Sequence, residues 1–443
     1  MATLSDSSKR CALATDFQST NEIKSFMESK RVVVTGLGAI TPIGNTIKDF
    51  WEGLVNGKNG AGEITRFDSA LFKTHFACEV KGYNPDDYFD KKTARKYDLF
   101  AQFALIAADE AIADAGITPE NTDFDDVGVI MTSGIGGVNH LFSEVMEYAQ
   151  SDGTPRFSPF LITKMIVNMP GGIISIKYGF RGPNYATVSA CASSTHAIID
   201  GFNHIRYGKS TTFIVGGAGA AIGQLGVGGF NAMKALSTRN DDPLSASRPF
   251  DLNRDGFVIG EGAGSLVLEE YEHAMARGAK IYAELVGGGE SADAYHITAP
   301  HPEGLGDVLC MQRAIADAGI NPDAINHINT HGTSTPMGDV AETLAIKKVF
   351  GEHAYDISIN STKSMTGHLL GGAGAIEAIA SILALKNGIV PPTINHFDDD
   401  PQIDPHLDFT FNRAKKRDLH YALSNSFGFG GQNATVIFKK FES

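Results

Sequence analysis

Short apolar runs alternate with longer, partly apolar segments along most of the chain. The short runs are rich in β-branched residues and end near glycine or charged residues, which is typical of buried strands. The longer segments are rich in alanine and carry apolar residues at helical spacing. This alternation predicts an α/β layered fold in which helices cover sheets. The strand-like runs are residues 31–36, 127–132, 211–218, 265–270 and 434–440.

One stretch of sequence occurs twice. EAIADAGITPE at Glu110–Glu120 returns as RAIADAGINPD at Arg313–Asp323. In each copy we expect a helix to end at a glycine, Gly116 or Gly319, because glycine accepts the left-handed backbone of a helix C-cap. Each copy then leads into a strand-like run, a connecting segment and another helix. This shared order predicts two similar halves packed together.

The length of 443 residues agrees with two halves, since it exceeds what one compact core normally supports. We expect the first half at residues 27–278 and the second at 279–443. Residues 1–26 are rich in Ser and Thr and show no periodicity, which favours a disordered leader or an added segment. Their acidic residues and lack of an apolar core argue against a transit or signal peptide.

Charge and cysteine content exclude several classes of function. No apolar stretch is long enough to cross a bilayer, so we expect a soluble protein. A net charge of −14 argues against nucleic-acid binding. The four cysteines lie far apart, which argues against a disulfide framework or a zinc knuckle and favours a reducing compartment, the cytoplasm. They are Cys11, Cys78, Cys191 and Cys310.

Cys191 lies between a strand-like run and a helical segment, among small residues. At the start of a helix, free N–H groups and the positive end of the dipole would stabilise a thiolate. The small neighbours would leave room for a thioester. A buried cysteine that acts only as a small apolar side chain is nevertheless the commoner case. Position alone leaves both interpretations open.

Two histidines lie where strands pass into loops or helices, the usual place for active sites in α/β layers. His331 follows NHINT, and His368 closes NSTKSMTGH before an Ala/Gly-rich helix. Neither shows metal-ligand spacing, and we expect no metal.

Near the C-terminus, SNSFGFGGQN predicts either a turn that approaches a site closely or a simple bulge. VVVTGLGAITPIG imitates a dinucleotide fingerprint but lacks its third glycine, so NAD is not expected.

Four motifs, in this order, resemble the elongating β-ketoacyl-acyl-carrier-protein synthases. They are ACASS around Cys191, NTHGTSTPMGD around His331, NSTKSMTGH ending at His368, and SNSFGFGGQN. The resemblance extends over about residues 27–441. Thiolases of this fold carry a second cysteine, and initiating synthases an asparagine, where His368 stands. The resemblance implies a duplicated thiolase fold with five α-β-α-β-α layers, usually in a homodimer.

The resemblance also implies the chemistry. Cys191 would take up an acyl chain, and His331 and His368 would stabilise the enolate left when a malonyl group loses CO2. The backbone N–H groups of Cys191 and Phe427 would form the second oxyanion hole. No cofactor is expected, because the phosphopantetheine arm belongs to the acyl-carrier protein.

Further residues match supporting positions of the family. Lys363 would hold the histidine region in place through a charge network with Glu342. Thr333 and Thr335 resemble the hydroxyl groups that hold the phosphopantetheine arm. Phe427 also resembles the gate of the acyl pocket. Ile135 and Phe230 match positions that line this pocket, and the resemblance to the elongating synthases implies medium to long acyl chains.

The carrier proteins of this family are acidic, so an acidic enzyme must dock them on a local basic patch. Lys234 and Arg156 match docking positions. The densest basic run offers a further patch, although it could equally be a solvated helix face neutralised by neighbouring aspartates. The run consists of Lys91, Lys92, Arg95 and Lys96.

Two other functions stay open beside condensation. A thioesterase or acyltransferase could use a Cys–His pair, although two histidines with Lys363 suit enolate chemistry better. The second open function is that of a non-catalytic partner subunit, similar to a chain-length factor. Such subunits usually lack the nucleophile, so Cys191 argues against it.

Overall fold

The computed structural model of the chain describes residues 29–442. The leader proposed at residues 1–26 lies outside this range. The strands are β1 Val32–Ile40, β2 Gly62–Glu63, β3 Phe76–Ala77, β4 Val127–Thr132, β5 Asn184–Tyr185, β6 Thr212–Gly219, β7 Gly262–Glu270, β8 Ala283–Ala292, β9 His327–Asn329, β10 Ser358–Asn360, β11 Ile389–Val390, β12 Lys415–Lys416, β13 Tyr421–Gly428 and β14 Gln432–Lys440.

Helices lie between most of these strands. All five strand-like runs of the sequence are strands in the structure. The α-helices are α1 Ile47–Val55, α2 Lys91–Ala94, α3 Leu99–Ala115, α4 Val138–Gln150, α5 Leu161–Met165, α6 Met169–Tyr178, α7 Ser193–Arg206, α8 Gln224–Ala232, α9 Tyr271–Ala276, α10 Leu305–Ala318, α11 Pro336–Phe350, α12 Lys363–Thr366 and α13 Ala373–Asn387.

Within the described residues, ten strands form one mixed sheet in the order β10-β9-β13-β14-β8-β1-β7-β6-β4-β5. The first five of these strands belong to the second half of the chain and the other five to the first. Counted along the chain, both halves show the same strand order, third-second-fourth-fifth-first. The halves meet where β1 pairs antiparallel with β8. This shared topology is what the sequence repeat predicts.

Helices form three layers around the two halves of the sheet. α7 and α13 pack against strands of both halves, so they form the central layer. α3 and α6 cover the first half, and α10 and α11 lie on the second. α13 is apolar around most of its circumference and is buried except at its last residues, as a central helix must be. The predicted five-layer thiolase-like arrangement is confirmed.

The repeated helices α3 and α10 end in the predicted way. Gly116 and Gly319 cap them with left-handed backbones at φ 65° and 64°. Each helix also lies unusually close to a strand. A Cβ at Gly38 would lie 1.9 Å from a main-chain oxygen of α3, and one at Gly289 would lie 2.2 Å from a main-chain oxygen of α10. Glycine therefore permits the same helix–strand contact in both halves.

The proposed boundary between residues 278 and 279 falls between α9 and β8. Among residues 29–442, no helix is both long and apolar enough to span a bilayer.

Candidate active site

Cys191, His331 and His368 line one cavity of about 380 Å³. Their sulfur and ring-nitrogen atoms lie within 4.8 Å of one another. All three side chains are buried, and the exposed fractions are 8% for Cys191, 8% for His331 and 3% for His368. The fold therefore brings together three motifs that are far apart in the sequence.

Cys191 lies in a one-turn 3-10 helix that directly precedes α7. The turn begins at Ala190, whose φ of 51° is left-handed and rare for a residue with a side chain. The matching turn before α13 begins at Leu370, with φ 54°. Strained backbone of this kind persists only where the surrounding structure enforces it. Cys191 thus occupies the predicted position at the start of a helix.

The Cys191 thiol is harder to ionise than the sequence suggests. Burial raises its pKa to about 11, although the charge of Lys363 and the backbone N–H of Phe429 lower it. The expected thiolate at a helix start is therefore not the resting state. Desolvation outweighs the local attraction because Cys191 is buried and its sulfur is largely removed from water. Attack by this sulfur requires removal of its proton.

Glu342 holds the loop that carries His331. The backbone N–H groups of His331 and Gly332 each donate to its carboxylate at 2.8 Å, and Asn425 Nδ2 donates at 3.1 Å. Burial raises the pKa of Glu342 to about 7, and these donors and the charge of Lys363 oppose the shift. Glu342 is therefore a positioning residue for His331.

His368 is fixed through its main chain. Its N–H donates to the carbonyl of Val258 at 2.8 Å, and its carbonyl accepts from the N–H of Gly260 at 2.9 Å. Its ring packs edge-on against Phe257 and His331, with 5.3 Å between ring centroids in each case. Within residues 29–442 neither ring nitrogen has a hydrogen-bond partner. Both nitrogens are therefore free to act on a substrate.

The two imidazoles are neutral at pH 7. Burial is the main cause that holds the pKa of His331 and of His368 well below the ordinary value. The positive charge of Lys363 lowers both pKa values further. A neutral imidazole carries one N–H donor and one lone pair. The pair can therefore donate hydrogen bonds to a developing oxyanion without being charged.

The direct partner of Lys363 is Glu377 on α13. Lys363 Nζ lies 2.5 Å from Glu377 Oε1, and both side chains are 1% exposed. The resemblance implies a charge network between Lys363 and Glu342. The charge of Lys363 does lower the pKa of Glu342, but the Glu342 carboxylate accepts the N–H groups of the His331 loop, and the ion pair of Lys363 is with Glu377. The sequence contains a signal for Glu377. It is the single acid in an otherwise apolar helical segment, and such an acid needs a partner of opposite charge when the helix is buried.

Phe427 lies near the end of β13, beside the glycine-rich hairpin turn. A Cβ at Gly428 would lie 2.6 Å from the carbonyl oxygen of Ser189 and 3.2 Å from the nitrogen of Cys191. The hairpin therefore packs main chain against main chain on the Cys191 turn. The Phe427 ring lies 5.9 Å from the His331 ring. Of the two alternatives, the turn makes a close approach to the site and is not an isolated bulge.

Most of the expected substrate-binding residues line the cavity. Thr333 and Thr335 lie on its wall, with their Oγ1 atoms 3.0 Å apart. Phe230 lines it from α8 and packs edge-on against Phe257 at 5.3 Å. Lys234 is exposed and lies at its edge.

Ile135 is the exception. Its side chain is 44% exposed and is not part of the cavity wall of this single chain. It follows β4 in a loop in which Gly136 has a left-handed φ of 59°. The expected role of Ile135 in lining the acyl pocket therefore stays a prediction.

Among the expected docking residues, Lys234 alone lines the cavity. The basic run forms α2 and the residues after it, and Asp90 caps this short helix by accepting from the N–H groups of Lys92 and Thr93. The solvated-face alternative for the run therefore stays open. The other expected docking residues lie at the surface: Arg156, Lys91, Lys92 and Arg95 are exposed, and Lys96 is half-buried.

Three acids that the sequence motifs did not single out also line the cavity, and they are Asp255, Asp293 and Asp307. Cys191, His331 and His368 could in principle hold a metal ion, given the spacing of their donor atoms. The charge of Lys363, which already lowers the pKa of both imidazoles, disfavours a cation there.

Comparison with known proteins gives consistent matches. The family model for the beta-ketoacyl synthase N-terminal domain matches residues 29–274, and that for the C-terminal domain matches residues 282–397. The chain is 50% identical to 3-oxoacyl-[acyl-carrier-protein] synthase 2 of Synechocystis sp. over 416 residues, which is 94% of this chain and 99% of that one.

Two solved structures agree with this match. The first is a type II PKS acyl-carrier protein in complex with its ketosynthase bound to the hexaketide. It matches with a TM-score of 0.86 and 35% identity, over 93% of this chain and 100% of that chain. The second is a beta-ketoacyl synthase from Burkholderia phymatum, with a TM-score of 0.85, 36% identity and the same coverage of both chains.

Proposed function

The chain belongs to the beta-ketoacyl synthase family, and on this premise we propose that it catalyses decarboxylative condensation in fatty-acid elongation. Malonyl-acyl-carrier protein and an acyl chain bound to Cys191 react to give β-ketoacyl-acyl-carrier protein and CO2. One observation carries the proposal. The nucleophile and two neutral imidazoles meet in one buried cavity, within 4.8 Å of one another.

In the first half-reaction the Cys191 sulfur attacks the carbonyl carbon of the acyl thioester. The carrier thiol leaves, and the proton of the Cys191 thiol passes to it. Because the thiol pKa is raised, this transfer needs a nearby base, and the free ring nitrogens of His368 suit that role. The backbone N–H groups of Cys191 and Phe429 both reach the Cys191 sulfur and stabilise the oxyanion of the tetrahedral intermediate, so Phe429 takes the place that the resemblance gave to Phe427.

In the second half-reaction the malonyl carboxylate leaves as CO2, and its bonding electrons form an enolate. N–H groups of His331 and His368 donate to the enolate oxygen. Neutral imidazoles suit this step because they donate hydrogen bonds to the enolate oxygen. Protonated imidazoles would also bind the malonyl carboxylate and so stabilise the group that has to leave as CO2. The enolate carbon attacks the acyl-Cys191 carbonyl, and collapse of that intermediate releases the Cys191 thiolate, which takes up a proton.

The supporting residues act through these groups. Glu342 orients the His331 loop. Burial keeps both imidazoles neutral, and the charge of Lys363, which Glu377 balances, lowers their pKa values further. Thr333 and Thr335 bind the phosphopantetheine arm of the acyl-carrier protein, so the enzyme needs no cofactor of its own. Phe427 closes the acyl pocket, to which Phe230 contributes.

We further propose a homodimer in the cytoplasm. The cysteines within residues 29–442 are free and buried, which suits a reducing compartment. A group of large apolar side chains in residues 135–188 is exposed on the single chain, which suits a surface that a second copy covers. They are Ile135, Val145, Met146, Tyr148, Phe157, Ile162, Ile176 and Val188.

The test is an assay with acyl-carrier and radiolabelled malonyl-carrier substrates. We expect labelled CO2 and β-ketoacyl product in equal amounts. Cys191→Ala should lose acyl transfer, whereas Cys191→Gln, which resembles the acylated state in size and polarity, should still release CO2. Hydrolysis of the acyl thioester without β-ketoacyl product would instead indicate a thioesterase.

A further inference from the structure

Asp307 is a buried carboxyl group for which the proposed mechanism has no role. It lies in the first turn of α10, is 3% exposed and lines the same cavity as Cys191 and His331. Within residues 29–442 no backbone or side-chain group hydrogen-bonds to its carboxyl. Its oxygens are not among the fully enclosed polar atoms, so the carboxyl opens into the cavity, and a ligand that displaces water there has to supply its hydrogen bond.

The neighbouring carboxyl groups are different. Asp293 accepts a hydrogen bond from Asn433 Nδ2 at 2.7 Å. Glu342 accepts from the His331 loop and from Asn425, as described above. The donors on this side of the cavity are thus bound to the other two carboxylates, and Asp307 is left with none.

These neighbours also set the charge of Asp307. Burial, followed by the negative charges of Glu342 and Asp293, raises its pKa well above the ordinary value. On its own helix the nearest titratable group is the buried thiol of Cys310. Asp307 therefore holds a proton more readily than an ordinary aspartate, and in its protonated form the carboxyl is a hydrogen-bond donor.

We propose that Asp307 is a substrate-binding residue that donates a hydrogen bond from its carboxyl group to an oxygen acceptor of the carrier-bound thioester. The inference rests on the proposed function, since it requires such a thioester to reach Cys191. The substrate offers two sources of this acceptor, the amide carbonyls of the phosphopantetheine arm and the oxygens of the malonyl group. Thr333 and Thr335 line the same cavity, so both sources pass within it.

Asp307→Ala and Asp307→Asn test the proposal. The alanine variant removes the donor, and the asparagine variant keeps a neutral donor of similar shape. We expect Asp307→Ala to raise KM for the carrier substrate on the order of ten-fold, the worth of one hydrogen bond, with little change in kcat. Asp307→Asn should recover most of this loss. Neither variant should lower the unfolding temperature, because no intramolecular bond is lost.

The two half-reactions distinguish the sources of the acceptor. If the arm is the partner, KM rises for both acyl-carrier and malonyl-carrier substrates. If the malonyl group is the partner, only the malonyl-carrier KM rises. Unchanged KM values in Asp307→Ala would overturn the proposal. So would a lowered unfolding temperature that Asp307→Asn shares, since this indicates a structural role. Failure of the proposed function would appear separately, as a wild-type enzyme that forms no β-ketoacyl product.

Discussion

The ammonium group of Lys363 lies 2.5 Å from the carboxylate of Glu377, and both side chains are 1% exposed. This pair joins α12, which leads to His368, to the central helix α13. Its field reaches the active site, because the positive charge of Lys363 lowers the pKa of His331, His368 and Cys191. The pair therefore links the packing of the central layer to the protonation of the reacting groups.

Removal of one partner should be costly. Lys363→Met leaves a buried carboxylate unpaired and should lower the free energy of unfolding by about 3–5 kcal/mol, measured by urea unfolding. The double variant Lys363→Met/Glu377→Leu should recover most of this stability. Condensation should stay low in both variants, because loss of the Lys363 charge raises the already high pKa of the Cys191 thiol and so makes the nucleophile harder to ionise. Full condensation activity in the double variant would show that the Lys363–Glu377 pair has only a structural role.

The buried histidines should make stability depend on pH. In the unfolded chain a histidine takes up a proton below about pH 6.5, whereas folded His331 and His368 remain neutral to much lower pH. The unfolded state thus binds more protons, and stability falls as the pH drops below about 6.5.

Urea unfolding between about pH 7.5 and 5.5 measures this effect. His368→Asn should lose less stability over this range than the wild type. His406→Asn changes an exposed histidine and serves as the control, with the slope of the wild type. Equal slopes for His368→Asn and the wild type would contradict the assignment of a buried neutral imidazole.

The hairpin contact with the Cys191 turn should be intolerant of a side chain. In Gly428→Ala the new Cβ would meet the carbonyl of Ser189 at 2.6 Å and displace the next residue, Phe429, whose backbone N–H reaches the Cys191 sulfur. Loss of one oxyanion donor should lower kcat by about 10²–10³. Gly172→Ala, a helical position with nothing within 4 Å, is the control and should keep normal kcat. A similar kcat for both variants would argue against the oxyanion role.

Lys234 should contribute to carrier docking, because it is the exposed cation on the edge of the cavity. Lys234→Glu should raise KM for carrier substrates several-fold at low salt and much less at high ionic strength, where charges are screened. Small acyl thioesters without the carrier should react normally. Lys416→Glu makes the same charge change at another exposed position and should leave KM unchanged. An equal effect of both variants would indicate that KM responds only to the more negative net charge of the protein and not to the position of Lys234.

Much of the fold and of the candidate site can be predicted from the sequence alone. Alternating apolar runs specify the strands, and the repeated EAIADAG segment specifies two equivalent helices with left-handed glycine caps at Gly116 and Gly319. Motif order identifies Cys191, His331 and His368. These features are local, since periodicity and backbone conformation depend on neighbouring residues.

Only the tertiary structure determines which groups meet and how far each is removed from water. It pairs Lys363 with Glu377 instead of Glu342, places Ile135 outside the cavity of the single chain, and leaves Asp307 without a donor. It also turns the expected Cys191 thiolate into a buried thiol. Contacts between distant segments and the cost of desolvation arise from packing, which no local pattern along the chain records.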